Sequence, residues 1–410
     1  QMVFNHLIGV RFPVGPPLFH MLLLDKKSKY IKFFYLFLFF LIIDFTLTSL
    51  LFKKTTFWDK VNQNYFTKKH WRIESKIYHH DLSKNVNVIE RWGNLKYNLT
   101  TNSLGFRDNK LDSINKTNNK KKRIYVNGDS FVEGVGYDYQ HTVIGMLDDK
   151  FSTQYEILNS AVASYSPSIY YRKTKYFIDK GLKFDYCIIF LDISDIPDEN
   201  FINENSSGYI YDIRQKKKKV SLKGKIYKIF RFYRDNFISG KILAIVREAT
   251  GQYKSNLKKR YLAAKNLKIS FFKISENEIN FYKSLSIDRS SWTFNKKYSD
   301  KWKEKGLLKS SMYLKKLSDL LNDNKIKTFL VIYPNPGQIY LNKENVHEIY
   351  WKNWAKKNDI ELINLYKYFE GDNKKKIIQE YFIPGDVHWN KKGHKLVYNV
   401  LKNELIEKLN

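Results

Sequence analysis

The sequence predicts an α/β domain built on a parallel sheet of about five strands with helices on both faces. Short apolar runs recur at residues 124–127, 155–158, 186–191, 328–333 and 360–365. Amphipathic stretches of helix length lie near 142–151, 169–180, 305–322 and 347–357, and strands that alternate with helices are the pattern of a parallel sheet joined by crossovers. Size agrees: 410 residues, 43% of them hydrophobic and 16% aromatic, can bury one large core and still carry additions.

From the beginning of the chain, residue 1 is Gln and the stretch before Met21 has no pattern. Residues 1–20 are therefore set aside from fold reasoning, with Met21 as the candidate start. Residues 1–32 read as a cytoplasmic segment. Residues 33–52 form a run rich in Phe, Leu and Ile, long enough at about 1.5 Å per residue to cross a hydrocarbon core of about 30 Å. A single transmembrane helix is expected there. Asp44 interrupts it at a cost of about 3 kcal/mol if charged in mid-bilayer, which the surrounding Leu, Ile and Phe side chains offset. Lys26, Lys27, Lys29 and Lys32 precede the run and Lys53 and Lys54 follow it. The positive-inside bias thus places the N-terminus inside and the rest of this single-pass protein on the extracytoplasmic, periplasmic side. No small-x-small cleavage pattern follows, so the anchor is expected to stay uncleaved.

Residues 53–120 read as a polar, aromatic-dotted lead-in, and residues 121–410 as the main domain. Inside that domain the strand–helix alternation breaks down at about 197–325, a Lys- and aromatic-rich insertion that either covers the site as a lid or packs as helices against the sheet.

The formal charge of +31 raises the possibility of nucleic-acid binding. Yet the Lys residues are scattered from end to end, as are Asn, Ile, Phe and Tyr, which is the composition of an AT-rich bacterial genome rather than of a binding stripe. No nucleic-acid partner is expected. The lone Cys187 excludes an intrachain disulfide and a Cys-based metal site, and its apolar run makes it a small buried hydrophobe. The histidines lack ligand spacing, so no metal is expected. Gly134-Val135-Gly136 lacks the third glycine of a dinucleotide fingerprint, and no cofactor is expected.

The chemistry gathers at two places. The first apolar run leads straight into Gly128-Asp129-Ser130, which puts Ser130 at the carboxyl end of a parallel strand, where side chains face the ligand crevice. By itself a Ser or Asp after a strand is usually an N-cap. Near the C-terminus stands Gly385-Asp386-Val387-His388-Trp389-Asn390. A neutral imidazole can take a serine proton while a carboxylate holds its other N–H, which is what activates a weak hydroxyl nucleophile. His388 is therefore the candidate base, Asp386 its carboxylate partner and Ser130 the nucleophile. His394, further along, reads as a surface residue of the last helix.

These motifs resemble the SGNH, or GDSL, hydrolase family, in the branch that also holds membrane-associated glycan O-acetyltransferases with Asp-x-His-Trp motifs. The resemblance covers residues 97–410 and implies a flavodoxin-like fold. Gly128-Asp129-Ser130 matches the family's first block and Asp386-Val387-His388 its last. Ser164 stands where the second block usually has a glycine that donates its N–H to the oxyanion, and Ser194 where the third block has an asparagine. The implied oxyanion hole is the Ser130 N–H helped by Ser164 or Ser194. The implied function is a membrane-anchored serine esterase or acyltransferase acting on a small ester or an acylated carbohydrate, through O-acetyl groups of cell-envelope or exported glycans. The two departures leave a second reading, a non-catalytic module that binds glycan or assists polysaccharide assembly.

Overall fold

The computed structural model describes residues 28–49, 71–117, 121–206, 208–215, 229–230, 232–234, 236–285, 289–341 and 344–409. The chain divides into two compact units, residues 1–68 with 217–255, and residues 69–216 with 256–410.

In the first unit the helix Ser28–Leu47 carries the apolar run. From Phe33 to Leu47 this gives about 22 Å of α-helix at 1.5 Å per residue, short of the expected span, and residues 50–52 lie outside the described residues. No helix among the described residues is long and apolar enough to cross a membrane. Asp44 is 5% exposed and caps another helix: its Oδ1 accepts the Ile238 N–H at 3.0 Å, and its Oδ2 accepts the Ser239 hydroxyl, at the start of Ile238–Leu267. A carboxylate at a helix N-terminus satisfies orphan N–H groups and meets the positive end of the dipole. The residue counted as a cost in the sequence is here bound by that helix end.

The second unit begins with a hairpin of β1 (Arg72–Ser75) and β2 (His79–Leu82). Then come β3 (Asn87–Trp92), β4 (Leu95–Thr101) and β5 (Arg107–Asp108), followed by β6 (Lys122–Asn127), β7 (Tyr155–Asn159) and β8 (Tyr186–Leu191). The short β9 (Ile202–Glu204) and β10 (Ile210–Asp212) pair with each other, and β11 (Lys327–Ile332) and β12 (Glu361–Asn364) complete the main sheet. Its order is β12-β11-β8-β6-β7-β5-β4-β3. The strands from β12 to β7 are mutually parallel and correspond to the five apolar runs. The other three are antiparallel and come from the stretch expected as a lead-in, so the sheet is mixed and eight-stranded.

Alternation along the strands sorts the core into two layers. Ile124, Val126, Ile188, Phe190, Phe329 and Val331 face the helices Val143–Phe151 and Lys391–Lys408, with Leu147, Val397 and Leu401 packed on them. Tyr125, Cys187, Ile189, Leu191, Leu330 and Ile332 face the opposite way, toward Ile169 and Tyr170 of Pro167–Asp179 and Leu314, Leu317 and Leu321 of Lys296–Asp323. Each such side chain contributes about 1.5–3 kcal/mol by leaving water, which is why these strands read as continuous apolar runs. The long helix Lys296–Asp323, which lies wholly within the expected insertion, is thus a layer of the core.

The order of the sheet locates a crevice. The chain leaves β6 for β7 on one side and continues from β7 to β8 on the other, so the carboxyl end of β6 is a topological switch point, where open α/β sheets leave a crevice. Asn127-Gly128-Asp129-Ser130 occupies it.

Candidate active site

Ser130 opens a helix of one turn, Ser130–Glu133, with Asp129 as its N-cap accepting the Phe131 N–H at 3.0 Å. Gly128 is required for clearance: a Cβ there would lie 2.5 Å from Cγ2 of Val132. Behind this turn the buried Arg107 guanidinium donates to the carbonyl oxygens of Glu133, Gly134 and Tyr137, fixing the loop that follows.

The second part of the site is the loop between Phe382 and Trp389, which bridge each other. The Ile383 N–H donates to the His388 carbonyl at 2.9 Å and the Asp386 N–H to the Ile383 carbonyl at 3.0 Å. Trp389 is fully buried against Phe131 and Tyr333, at 4.9 and 4.8 Å between ring centroids. Asn390 then caps the last helix by accepting the Lys392 and Gly393 N–H groups.

The structure brings Ser130, His388 and Asp386 together across 258 positions of sequence. His388 Nε2 lies 2.7 Å from Ser130 Oγ, and His388 Nδ1 bonds Asp386 Oδ1, which also accepts the His388 backbone N–H at 3.0 Å. A carboxylate only accepts, so the imidazole proton sits on Nδ1 and Nε2 is left to receive the serine proton. Ser130 is 8% exposed and His388 7%. Burial pulls His388 downward, but the hydrogen bond and charge of Asp386 outweigh it and hold the imidazole above its ordinary value. Burial likewise raises Asp386, yet the His388 contacts prevail and bring it to about 2, with a hydrogen bond from Trp92 adding to the effect.

Ser164 and Ser194 fare differently. Ser164 is exposed and sits at φ +68°, a left-handed conformation that favours glycine. The Ala163 N–H beside it donates to Glu133 Oε2 at 2.6 Å, and Glu133 is gripped in turn by Arg72 at 2.6 and 3.1 Å. His80 Nε2 donates to the Ala163 carbonyl at 2.8 Å. Burial, first of all, lowers His80 to about 4, so it stays neutral at physiological pH. Ser194 corrects the expectation of a free oxyanion donor: both its hydroxyl, at 2.5 Å, and its N–H, at 2.9 Å, are given to Asp192 Oδ2. His394 is also corrected, since it is 1% exposed, accepts the Val143 N–H on Nδ1 at 3.3 Å, and is lowered to about 3 chiefly by burial.

Beside Ser130 the carboxylates of Asp129, Asp192 and Asp195 come within 4.8 Å of one another, all buried, and form a donor set that could hold a cation. Burial, reinforced by Asp192, raises Asp129 to about 7, and burial drives Asp195 well above the carboxylate range while the Tyr170 hydroxyl donates to it at 2.8 Å. Sequence reading missed this cluster, whose trace is Asp129 at one strand end and Asp192-x-x-Asp195 at the next. It also missed Trp92, whose indole N–H reaches Asp386 Oδ2 at 3.0 Å from 294 positions away.

No protein-family model matches the chain, and no curated protein matches it. Among solved structures it is similar to TesA, with 8% identity and a TM-score of 0.37 over 69% of this chain and 98% of that one. It is also similar to a GDSL-like lipase from Bacteroides thetaiotaomicron, with 12% identity and a TM-score of 0.34 over 72% and 93% of the two chains. An acetyl xylan esterase, AlAXEase, gives 13% identity and a TM-score of 0.36 over 69% and 99%.

Proposed function

We propose that this protein is a serine esterase or acyltransferase that works through an acyl-enzyme. The observation that carries the reading is the unbroken line from Ser130 Oγ to His388 Nε2 at 2.7 Å and from His388 Nδ1 to Asp386. Ser130 Oγ attacks the ester carbonyl as His388 Nε2 takes its proton, and Asp386 stays ionised and steadies the imidazolium. The tetrahedral intermediate expels the alcohol, which receives that proton from His388. The Ser130 N–H, an orphan donor at the start of its helix, and the Ser164 N–H on the neighbouring loop are the groups suited to the oxyanion. Water then releases the acid, or a sugar hydroxyl takes the acyl group, by the same steps in reverse.

The proposed substrate is an O-acetylated carbohydrate of the cell envelope or an exported glycan, on the strength of the Asp-x-His-Trp resemblance. The proposed location is the membrane, with the site on its outer, periplasmic side. Support for attachment comes from the apolar helix Ser28–Leu47, where Phe33, Leu36 and Phe39 are 72%, 67% and 62% exposed, and from the lysines before it. The alternative of a non-catalytic binding module draws on Ser194, whose donors are occupied by Asp192. A fluorophosphonate probe decides between them: the folded wild type should be labelled and Ser130→Ala should not. A folded wild type that resists the probe favours the binding module.

A further inference from the structure

We propose that Trp92 is a positioning residue of the relay, holding the outer oxygen of the Asp386 carboxylate so that its inner oxygen stays on His388. Asp386 lies on a loop entered through Gly385 at φ +78°, and its side chain is 28% exposed, so its orientation has to be imposed by partners. Oδ1 is held by the two N–H groups of His388. Oδ2 receives the Trp92 indole N–H at 3.0 Å. The same indole stands edge-on to the imidazole, 5.0 Å between centroids at 82°, while Phe131 lies against that imidazole at 4.6 Å. Trp92 and Phe131 thus both pack on the ring that has to move a proton.

The indole is itself placed firmly. Trp92 ends β3, is paired with Leu95 across a tight turn, and is followed by Gly93 at φ +57°. Two residues before it on the same strand, Glu90 is fully buried and accepts the Trp71 indole N–H at 2.6 Å. Arg72 pairs with both Glu90 and Glu133, linking this strand to the turn that carries Ser130. The antiparallel extension of the sheet therefore brings a hydrogen-bond donor to the acid of the relay. A charge-assisted hydrogen bond of this kind directs the carboxylate and draws off part of its negative charge.

The proposal rests on the serine reading, and its test uses a measurement that does not. In the full-length protein, Trp92→Phe keeps an aromatic ring at the end of β3 but removes the N–H together with the larger ring that carries it. The His388 imidazole, titrated by NMR, should then protonate at a lower pH, because a carboxylate free to turn away from Nδ1 holds the imidazolium less strongly. On p-nitrophenyl acetate kcat should fall about ten-fold with KM within about two-fold, and the acid limb of the pH–rate profile should move down with the NMR midpoint. In an Asp386→Ala background, Trp92→Phe should leave the His388 midpoint where it was. An unmoved or raised midpoint in the single variant, or an equal shift in both backgrounds, overturns the proposal whether or not the protein turns over ester. Absence of probe labelling in the wild type sinks the serine reading separately.

Discussion

Replacing Asp386 by Asn tests the relay with least disturbance of shape. The amide is isosteric and can still accept the Trp92 N–H, but it carries no charge and turns an N–H group toward His388 Nδ1. The imidazole must then place its proton on Nε2, facing Ser130, which is the wrong tautomer for a base. The magnitude follows from Asp386 itself: a carboxyl brought from 3.8 to about 2, against burial, by contacts dominated by His388 corresponds to a net coupling of about 2 kcal/mol, or some tens of fold in rate. The sign of the pH effect is also fixed. The base must be neutral, so wild-type activity on p-nitrophenyl acetate is lost as pH falls through a His388 value held above 6.5. In Asp386→Asn the two largest effects opposing burial are gone, leaving only the charges of Asp129 and Asp192, and the midpoint should move downward. A pH–rate profile of kcat/KM and a fluorophosphonate labelling rate, each measured from pH 5 to 9, would show both effects. A variant with wild-type kcat and an unmoved midpoint would refute the coupling.

Ser130→Ala and His388→Ala should each remove nearly all turnover, and the double variant should be no worse than either alone, because the two residues act as one unit; additive losses in kcat would contradict this. His394→Ala removes a fully buried acceptor and leaves the Val143 N–H unpaired, so the melting temperature should fall by an amount corresponding to about 1–3 kcal/mol while residual kcat per folded molecule changes little. Arg72→Ala strands the buried Glu133 carboxylate beneath the Ala163 loop and should cost about 3–5 kcal/mol, read by denaturant unfolding; a loss below about 1 kcal/mol would mean the pair is solvent-relaxed.

The five parallel strands were legible because both their faces are covered, which leaves runs such as Tyr186–Leu191 apolar at every position. β3 was not, since Asn87–Trp92 mixes exposed and half-buried positions around one fully buried glutamate, and nothing local marks Glu90 as the partner of Arg72 and Trp71. The motifs around Ser130 and His388 were readable because each packs its chemistry into three or four consecutive residues. Ser194 and His394 were misjudged for the opposite reason. What a hydroxyl donates to, and whether a helical histidine meets solvent or the Val143 N–H, is set by tertiary neighbours that spacing does not encode. Asp44 belongs with them, since the helix end it caps begins 194 positions later.

The separation of the site's parts in sequence bears on when activity can first exist. Trp92, Ser130 and the Asp386–His388 loop are joined by contacts across 258 and 294 residues, and the loop is synthesised after every strand of the main sheet. Contacts of such long range close late, after the parallel strands between them have found their order. A nascent chain that already carries Ser130 therefore lacks the His388 imidazole that contacts it in the finished fold. On the proposed reading, products truncated or stalled before His388 should be inert toward esters, and activity should appear only once the chain has been made through Trp389 and Asp386 has met the Trp92 indole.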